Sequence, residues 1–287
     1  VHRREFMLML AAGTVGALAS CSASQKTAST PTPAAEQRIA ALPTSSPTAP
    51  RPPSPTPSRS PLWLQDGPPE LPAPEGPGPL ITGLPDGVGN VVAITIDDGA
   101  DASVIDAYLD FAADSGVRLT FFVTGYYPGW IDCKDKMLPL VESGQVQLGN
   151  HTWTHPGLTE LTESGIISEL SQCESLLNTH FGVTGTPFVR PPFGYRNDWT
   201  DSVCAQLGYT TQAMWYGSFG DSGLLTQEVL LGEANTWLQA EHIVLGHANA
   251  PTVTHLYGQI IDILRERALR TVTLDDVYFG PGHSRSV

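Results

Sequence analysis

Val91-Val92-Ala93-Ile94-Thr95-Ile96-Asp97-Asp98-Gly99 is the stretch on which the reading of this 287-residue chain turns. From Val91 to Ile96 it is β-branched and almost continuously apolar, the pattern of a strand buried on both faces. A strand of that kind belongs to a parallel sheet covered by helices. The sequence that follows has the matching rhythm. A helical stretch from Ala102 to Ser115 closes at Gly116, and a second strand runs from Arg118 to Val123. Helices near Lys136 to Glu142, Thr162 to His180, Asp198 to Leu207, Thr226 to Gln239 and Thr254 to Arg267 are then expected. They alternate with strands at Gln147 to Asn150, Phe188 to Arg190, Thr210 to Trp215, His242 to Gly246 and Arg270 to Thr273. This alternation predicts an α/β fold on a parallel sheet, and the number of units suggests a (β/α) barrel. No internal repeat is found.

Barrels of this kind place their chemistry at the carboxyl ends of the strands. The polar or aromatic residues predicted there are Asp97, Asp98, His151, Arg190, Trp215 and His247. Apart from the aspartate pair, each closes a different strand. Two adjacent carboxylates repel unless a cation or a proton lies between them, so Asp97 and Asp98 suit a metal ligand beside a free base. Taken alone, an Asp-Asp-Gly turn often does no more than end a strand. His151-Thr152-Trp153-Thr154-His155 sets two imidazoles four apart, and in a helical turn both would leave one face with the spacing of a zinc pair. Pro156 and Gly157 require that turn to be short. His247 ends the apolar run Ile243-Val244-Leu245 and has the chemistry of a general acid near neutral pH. Arg190, before Pro191-Pro192-Phe193-Gly194, is a fixed cation able to hold a carboxylate ionised. A core histidine and a structural ion pair are the plainer readings of these last two.

In this order the motifs resemble those of the NodB-type polysaccharide deacetylases, carbohydrate esterase family 4, over about residues 80 to 280. Thr95 to Gly99 is similar to the family's TFDDG, and His151 to Pro156 to its H-[ST]-x-x-H-P. Arg190 to Gly194 is similar to R-x-P-[YF]-G, and Leu245-Gly246-His247 to the closing L-x-H. The resemblance implies a distorted (β/α) barrel in which Asp98, His151 and His155 bind a divalent metal, zinc foremost, with cobalt or another divalent ion as alternatives. It implies that Asp97 is the general base, with Arg190 fixing its charge, and that His247 protonates the leaving amine. The backbone N–H of Phe193 would help hold the oxyanion, while Trp215 and Leu245 would line a pocket for the acetyl methyl. Two departures stand out. Ile96 and Ala100 replace an aromatic and a proline that supply no reacting atom. In the fourth motif, Trp215 and then Asp221-Ser222 stand where a DW pair is usual. Asp221 keeps the spacing of the carboxylate that polarises His247, but Ser222 lacks the indole, and the missing ring should widen or wet one wall of the pocket.

The rest of the chain speaks to location. Arg3 and Arg4 precede an apolar run of about thirteen residues from Phe6 to Leu18, too short for the roughly 20 of a spanning helix. Residues 1–20 thus read as an export signal, with Arg3-Arg4-Glu5-Phe6-Met7 similar to a twin-arginine motif and Val1 suggesting a non-ATG bacterial start. Leu18-Ala19-Ser20-Cys21 resembles the lipobox of bacterial lipoproteins, which implies a lipid on Cys21; an ordinary signal with a chance cysteine is the plainer alternative. Residues 21–79 are dominated by Pro, Ser, Thr and Ala, cannot bury enough apolar surface to order themselves, and read as a tether from membrane to cell wall. The catalytic domain is expected over 80–281, with a tail at 282–287. A net charge of −14 gives little attraction to nucleic acid or anionic head groups, so membrane contact would rest on the lipid. Cys133, Cys173 and Cys204, in an oxidising compartment, suggest one disulfide and one leftover thiol.

Together these features lead to an expected lipid-anchored monomer at the outer face of the bacterial cytoplasmic membrane. It would remove acetyl groups from a polysaccharide, peptidoglycan ahead of a chitin-like polymer. The alternative is a non-catalytic, metal-containing glycan-binding lipoprotein. A third reading, an amidohydrolase acting on a small cyclic amide, does not need such a tether.

Overall fold

The computed structural model describes residues 65–283 and 285–287. The export segment, Cys21 and the first part of the tether lie outside the described residues. Among the described residues no helix is long and apolar enough to cross a membrane.

The elements follow in order as β1 (Leu80–Ile81), β2 (Val91–Asp98), α1 (Ala102–Ser115), β3 (Leu119–Val123), α2 (Gly129–Asp132), α3 (Lys134–Glu142), β4 (Val146–Asn150), α4 (Glu163–Phe181) and β5 (Phe188–Val189). Then come α5 (Asp198–Gln206), β6 (Thr211–Ala213), β7 (Gly217–Ser218), α6 (Gln227–Trp237), β8 (Ile243–His247), α7 (Tyr257–Glu266), β9 (Arg270–Thr271) and α8 (Leu274–Phe279). All named strand pairs are parallel, in the order β1-β6-β5-β4-β3-β2-β8-β7, with β9 on the other end of β2. An isolated antiparallel bridge from Gly83 to His242 draws the β1 end towards the entrance of β8. The sheet is thus a curled, distorted barrel, as the alternating pattern predicts.

Strand alternation divides β2 between two apolar clusters. Val92, Ile94 and Ile96 face outwards into the larger cluster, with Val104, Ile105 and Leu109 of α1 and residues of α3, α4, α6 and α7. Val91 and Ala93 face inwards with Phe122, Phe188, Ile243, and Leu274, Val277 and Tyr278 of α8. Full burial of each large aliphatic side chain stabilises the fold by about 1.5–3 kcal/mol. The inner face of β2 therefore reads Val91, Ala93, Thr95, Asp97: apolar where α8 plugs the base and polar where the strand ends.

Local signals explain the boundaries. Asp101 caps α1 by accepting from the Ser103 N–H, and Gly116 ends it at φ 73°. Thr162 caps α4 and Gly182 ends it at φ 67°. The sequence reading misses β1, β7 and α2, each of two to four residues and too short for a period to register. It also misses α8, which is held by a capping box of Thr273 and Asp276 and by the buried Arg118–Asp276 ion pair at 2.5 Å. Where a helix is expected from Thr254, residues 251–255 instead form a 3-10 turn and α7 starts at Tyr257.

Packing extends beyond 80–281. The Gln65 side chain donates to the Thr271 carbonyl at 2.8 Å and accepts from the Thr271 N–H at 2.9 Å. At the other end Ser286 bridges Val183, and Arg285 pairs with Asp275 at 2.9 Å. The expected disulfide is not formed. Cys133, Cys173 and Cys204 are free and buried, at separate places on or beside α2, α4 and α5. Burial pushes the Cys204 thiol up to about 12, and the thiols pack as small apolar groups.

Candidate metal centre and active site

The parallel register gathers the motifs at one level. Asp97 pairs with His247 across β2 and β8, while Asp98 pairs with Val123, Val123 with Asn150, and Asn150 with Val189. His151 and Arg190 are each the next residue after their strand. Adjacent strand residues ordinarily face opposite sides of the sheet. Asp98 escapes that rule because its φ is +73°, followed by Gly99 at +96°, and this turn swings its carboxylate to the same side as Asp97. The Trp130 indole N–H locks the turn by donating to the carbonyls of Asp98 and Thr124 at 3.2 and 3.1 Å.

The His151 to His155 stretch is an irregular loop, not the short helical turn expected from its spacing, with Thr152 and His155 at φ 72° and 63°. Its shape comes from side chains the sequence reading did not single out. The Asn150 carboxamide accepts from the Thr152 N–H at 2.9 Å and donates to the Leu170 carbonyl and the Tyr209 hydroxyl. Glu169 of α4 accepts from the N–H groups of Trp153 and Thr154 and from the Thr154 hydroxyl. The Thr152 hydroxyl accepts from the His155 N–H at 3.0 Å. Both imidazoles are thereby turned on Asp98: Nε2 of His151 and of His155 lie 3.4 and 3.1 Å from its Oδ1. One donor atom from each of the three lies within 4.8 Å of the others.

These residues fit a divalent cation. His151 Nδ1 lies 2.6 Å from the Arg190 carbonyl, which can only accept, so Nδ1 carries a proton and Nε2 is the ring nitrogen turned towards Asp98. Asp98 Oδ1 is buried and has no hydrogen-bond partner. Burial would raise the Asp98 carboxyl, but the positive charge of the facing imidazoles and the Asn249 amide on Oδ2 hold it well below the usual carboxylate range. Burial and the His151 charge lower the His155 imidazole, which keeps it a neutral donor. A carboxylate oxygen and two imidazole Nε2 atoms converging on one point are the donor set of a zinc-like ion.

Beside this set, Arg190 is fully buried. Its Nη1 donates to Asp97 Oδ1 at 2.7 Å and to the Thr95 hydroxyl at 2.8 Å, while Nε donates to the Ala213 carbonyl. The guanidinium lies 4.1 Å from the Phe122 ring centre and 5.7 Å from that of Trp215. Asp97 Oδ2 lies 3.5 Å from His151 Nε2, so the second carboxylate borders the cation set. Across the site His247 Nδ1 meets Asp221 Oδ1 at 3.0 Å. Burial would lower the His247 imidazole, but the Asp221 hydrogen bond and the charges of Asp97, Asp221 and Asp98 raise it overall.

The remaining expected residues line the rim. Phe193, at φ +59°, is exposed and sets its ring edge-on to His155 at 4.6 Å. Trp215 is half-buried beside Gly194, and Leu245 is buried two residues before His247 on the same strand face. Ser222 brings no ring, and its carbonyl accepts at 3.4 Å from Asn249. Thr95, Asn150, Glu169 and Asn249 are the site residues that the sequence reading missed. Only Asn150 and Asn249 sit near enough to a motif histidine to have drawn notice.

Residues 86–212 match the family model for polysaccharide deacetylase. A chitin deacetylase of Pestalotiopsis sp is 34% identical over 122 residues, 42% of this chain and 40% of that protein. The peptidoglycan-N-acetylglucosamine deacetylase PgdA of Listeria monocytogenes is 26% identical over 196 residues, 65% of this chain and 38% of its own. This chain therefore spans about two fifths of the length of each. Among solved structures, a peptidoglycan N-acetylglucosamine deacetylase superposes with a TM-score of 0.63 at 21% identity, covering 70% of this chain and 94% of the other. A pseudoenzyme of carbohydrate esterase family 4 from Bacillus anthracis gives 0.61 at 19% identity, covering 71% and 72%. These two likenesses speak for the fold. With the family match lying across Asp97, Asp98, His151, His155 and Arg190, residues 86–212 belong to a domain of the polysaccharide deacetylase family.

Proposed function

We propose that this chain is a divalent-metal-dependent hydrolase that removes acetyl groups from a cell-wall or extracellular glycan, N-acetyl groups of peptidoglycan or a chitin-like polymer foremost. The observation that carries the reading is the unpartnered Oδ1 of Asp98 facing two imidazoles, with the Arg190-held Asp97 on one side and the Asp221-held His247 on the other. Asp98, His151 and His155 would hold the ion, zinc foremost and cobalt or another divalent ion as alternatives. When bound, it supplies a Lewis acid that polarises an acyl carbonyl and acidifies water.

The chain's own groups do the rest. Asp97, paired with Arg190, takes the proton of the attacking water. His247, whose raised affinity for protons suits a general acid, gives one to the leaving amine. The Phe193 N–H contributes to holding the oxyanion, and Trp215 and Leu245 enclose the acetyl methyl. Relatives named as chitin and peptidoglycan deacetylases support a glycan substrate. The signal-like residues 1–20, the lipobox-like Cys21 and the proline-rich segment support an exported, lipid-anchored protein acting near the wall.

Acetate release from peptidoglycan fragments and chitooligosaccharides, with zinc or cobalt added, tests the proposal. Wild type should release acetate, and Asp97→Asn should bind zinc yet lose turnover by at least about 10²-fold. Ser222 in place of the expected indole favours one competing reading, a metal-containing glycan binder. Folded, zinc-loaded protein that binds glycan but releases no acetate in either form would establish that reading instead.

A further inference from the structure

Asn249 stands two residues beyond His247 and touches the cation set from the side opposite the imidazoles. Its carboxamide has no rotational ambiguity. The Ala100 N–H lies 3.2 Å from one end, and a backbone N–H can be met only by the amide oxygen. The amide nitrogen is thereby turned on Asp98, donating to Oδ2 at 2.6 Å, with the Ser222 carbonyl 3.4 Å away as a second acceptor. Asp98 is thus split in function: Oδ2 is occupied by Asn249, and Oδ1, buried and without a hydrogen-bond partner, is the oxygen presented to His151 and His155.

Resting on the metal-site reading above, we propose that Asn249 is a positioning residue for the cation, holding the Asp98 carboxylate in the one rotation that leaves Oδ1 free to ligate. The physical reason is the usual one for an outer partner of a ligand. An unrestrained carboxylate rotates and presents either oxygen, and the ordering that a cation would otherwise impose is already made by the hydrogen bond. Ala100 contributes through its N–H, since without that donor the amide is free to flip and turn its oxygen on Asp98, where two acceptors would repel. The site's geometry thus depends on a residue that contacts neither the cation set's imidazoles nor the proposed base.

The test uses the full chain with Asn249→Ala and with the nearly isosteric Asn249→Leu, neither of which can donate. Zinc affinity is measured by competition with a chromophoric chelator, thermal unfolding is followed without metal, and kcat and KM are taken from acetate release. Zinc should bind at least about 10-fold more weakly to both variants. Their metal-free melting should stay close to wild type, and kcat should fall at saturating substrate and be partly recovered by excess zinc. If either variant is folded and binds zinc as tightly as wild type, the proposal is overturned. Wild type that binds zinc but releases no acetate would sink the deacetylase reading while leaving this one to be judged on the affinities. Wild type that fails to bind zinc sinks both.

Discussion

Arg190 and Asp97 form an ion pair with Nη1 and Oδ1 2.7 Å apart, the guanidinium wholly shielded and the carboxylate nearly so. Neither charge has water to fall back on, so each depends on the other. Removing one partner of such a pair leaves a buried charge and costs about 3–5 kcal/mol. Arg190→Met should therefore lower the unfolding free energy by that amount in a urea titration, beyond its effect on acetate release. Asp97→Asn keeps an oxygen to accept from Arg190 but leaves the guanidinium charge unbalanced, so it should also destabilise, by less than Arg190→Met. A loss well below about 3 kcal/mol in Arg190→Met would mean that the pair carries no special weight.

The Asp221–His247 contact predicts a pH dependence with a definite sign. Although burial opposes protonation, the hydrogen bond donated to Asp221 and the surrounding carboxylates raise His247 above the ordinary imidazole value. A general acid must be protonated, so activity should fall on the alkaline side as pH rises through that raised value. Asp221→Asn removes a charge and weakens the pair; the alkaline limb of kcat/KM should move to lower pH and kcat at neutral pH should drop by about 10²-fold. An alkaline limb that does not move would remove His247 from the role.

Asn150 offers a separate test of how the histidine loop is held. Its carboxamide satisfies the Thr152 N–H at a left-handed residue and anchors to Tyr209, whose hydroxyl donates to Glu174 at 2.5 Å. Asn150→Ala strands those groups in the interior, at about 1–3 kcal/mol. It should also weaken zinc binding by about 10-fold or more, because the two imidazoles leave the chain on either side of Thr152. Chelator competition and urea unfolding measure the two effects independently.

At Gly99 the backbone is at φ +96°, and an added Cβ would lie 2.3 Å from the Trp130 ring. Trp130 is fully buried and holds the Asp98 carbonyl, so it cannot retreat. Gly99→Ala should destabilise the fold by about 3 kcal/mol or more and disturb Asp98 directly. A melting temperature within a degree of wild type would show that the turn is more forgiving than its geometry implies.

Cys133, Cys173 and Cys204 should resist alkylation in the native protein and react together on unfolding, because all three thiols are buried and outside any disulfide. Differential labelling read by mass spectrometry checks this, and added reductant should leave the melting temperature unchanged. A crosslinked peptide pair recovered from native protein would restore the disulfide expected from the sequence.

By itself, the sequence determined the barrel and the strand ends at which the candidate site's polar residues gather. A strand buried on both faces needs apolar residues at consecutive positions, and helices packed on it need apolar residues at helical spacing. Val91 to Ile96 and Ala102 to Ser115 therefore declare themselves without any knowledge of their partners. Asp97, His151, Arg190 and His247 were legible because parallel strands bring their carboxyl ends to one rim whatever the loops do.

Only the tertiary structure decided what depends on which atoms meet. The locking of the Asp98 turn by Trp130, the anchoring of Asn150 to Leu170 and Tyr209 and of the histidine loop to Glu169, the grip of Asn249 on Asp98 and the α8 plug all arise from contacts between residues well separated in the chain. Hydrophobic period records which face of an element is buried. Hydrogen bonds across loops depend on individual distances and angles, and those come into being only when the chain has closed on itself.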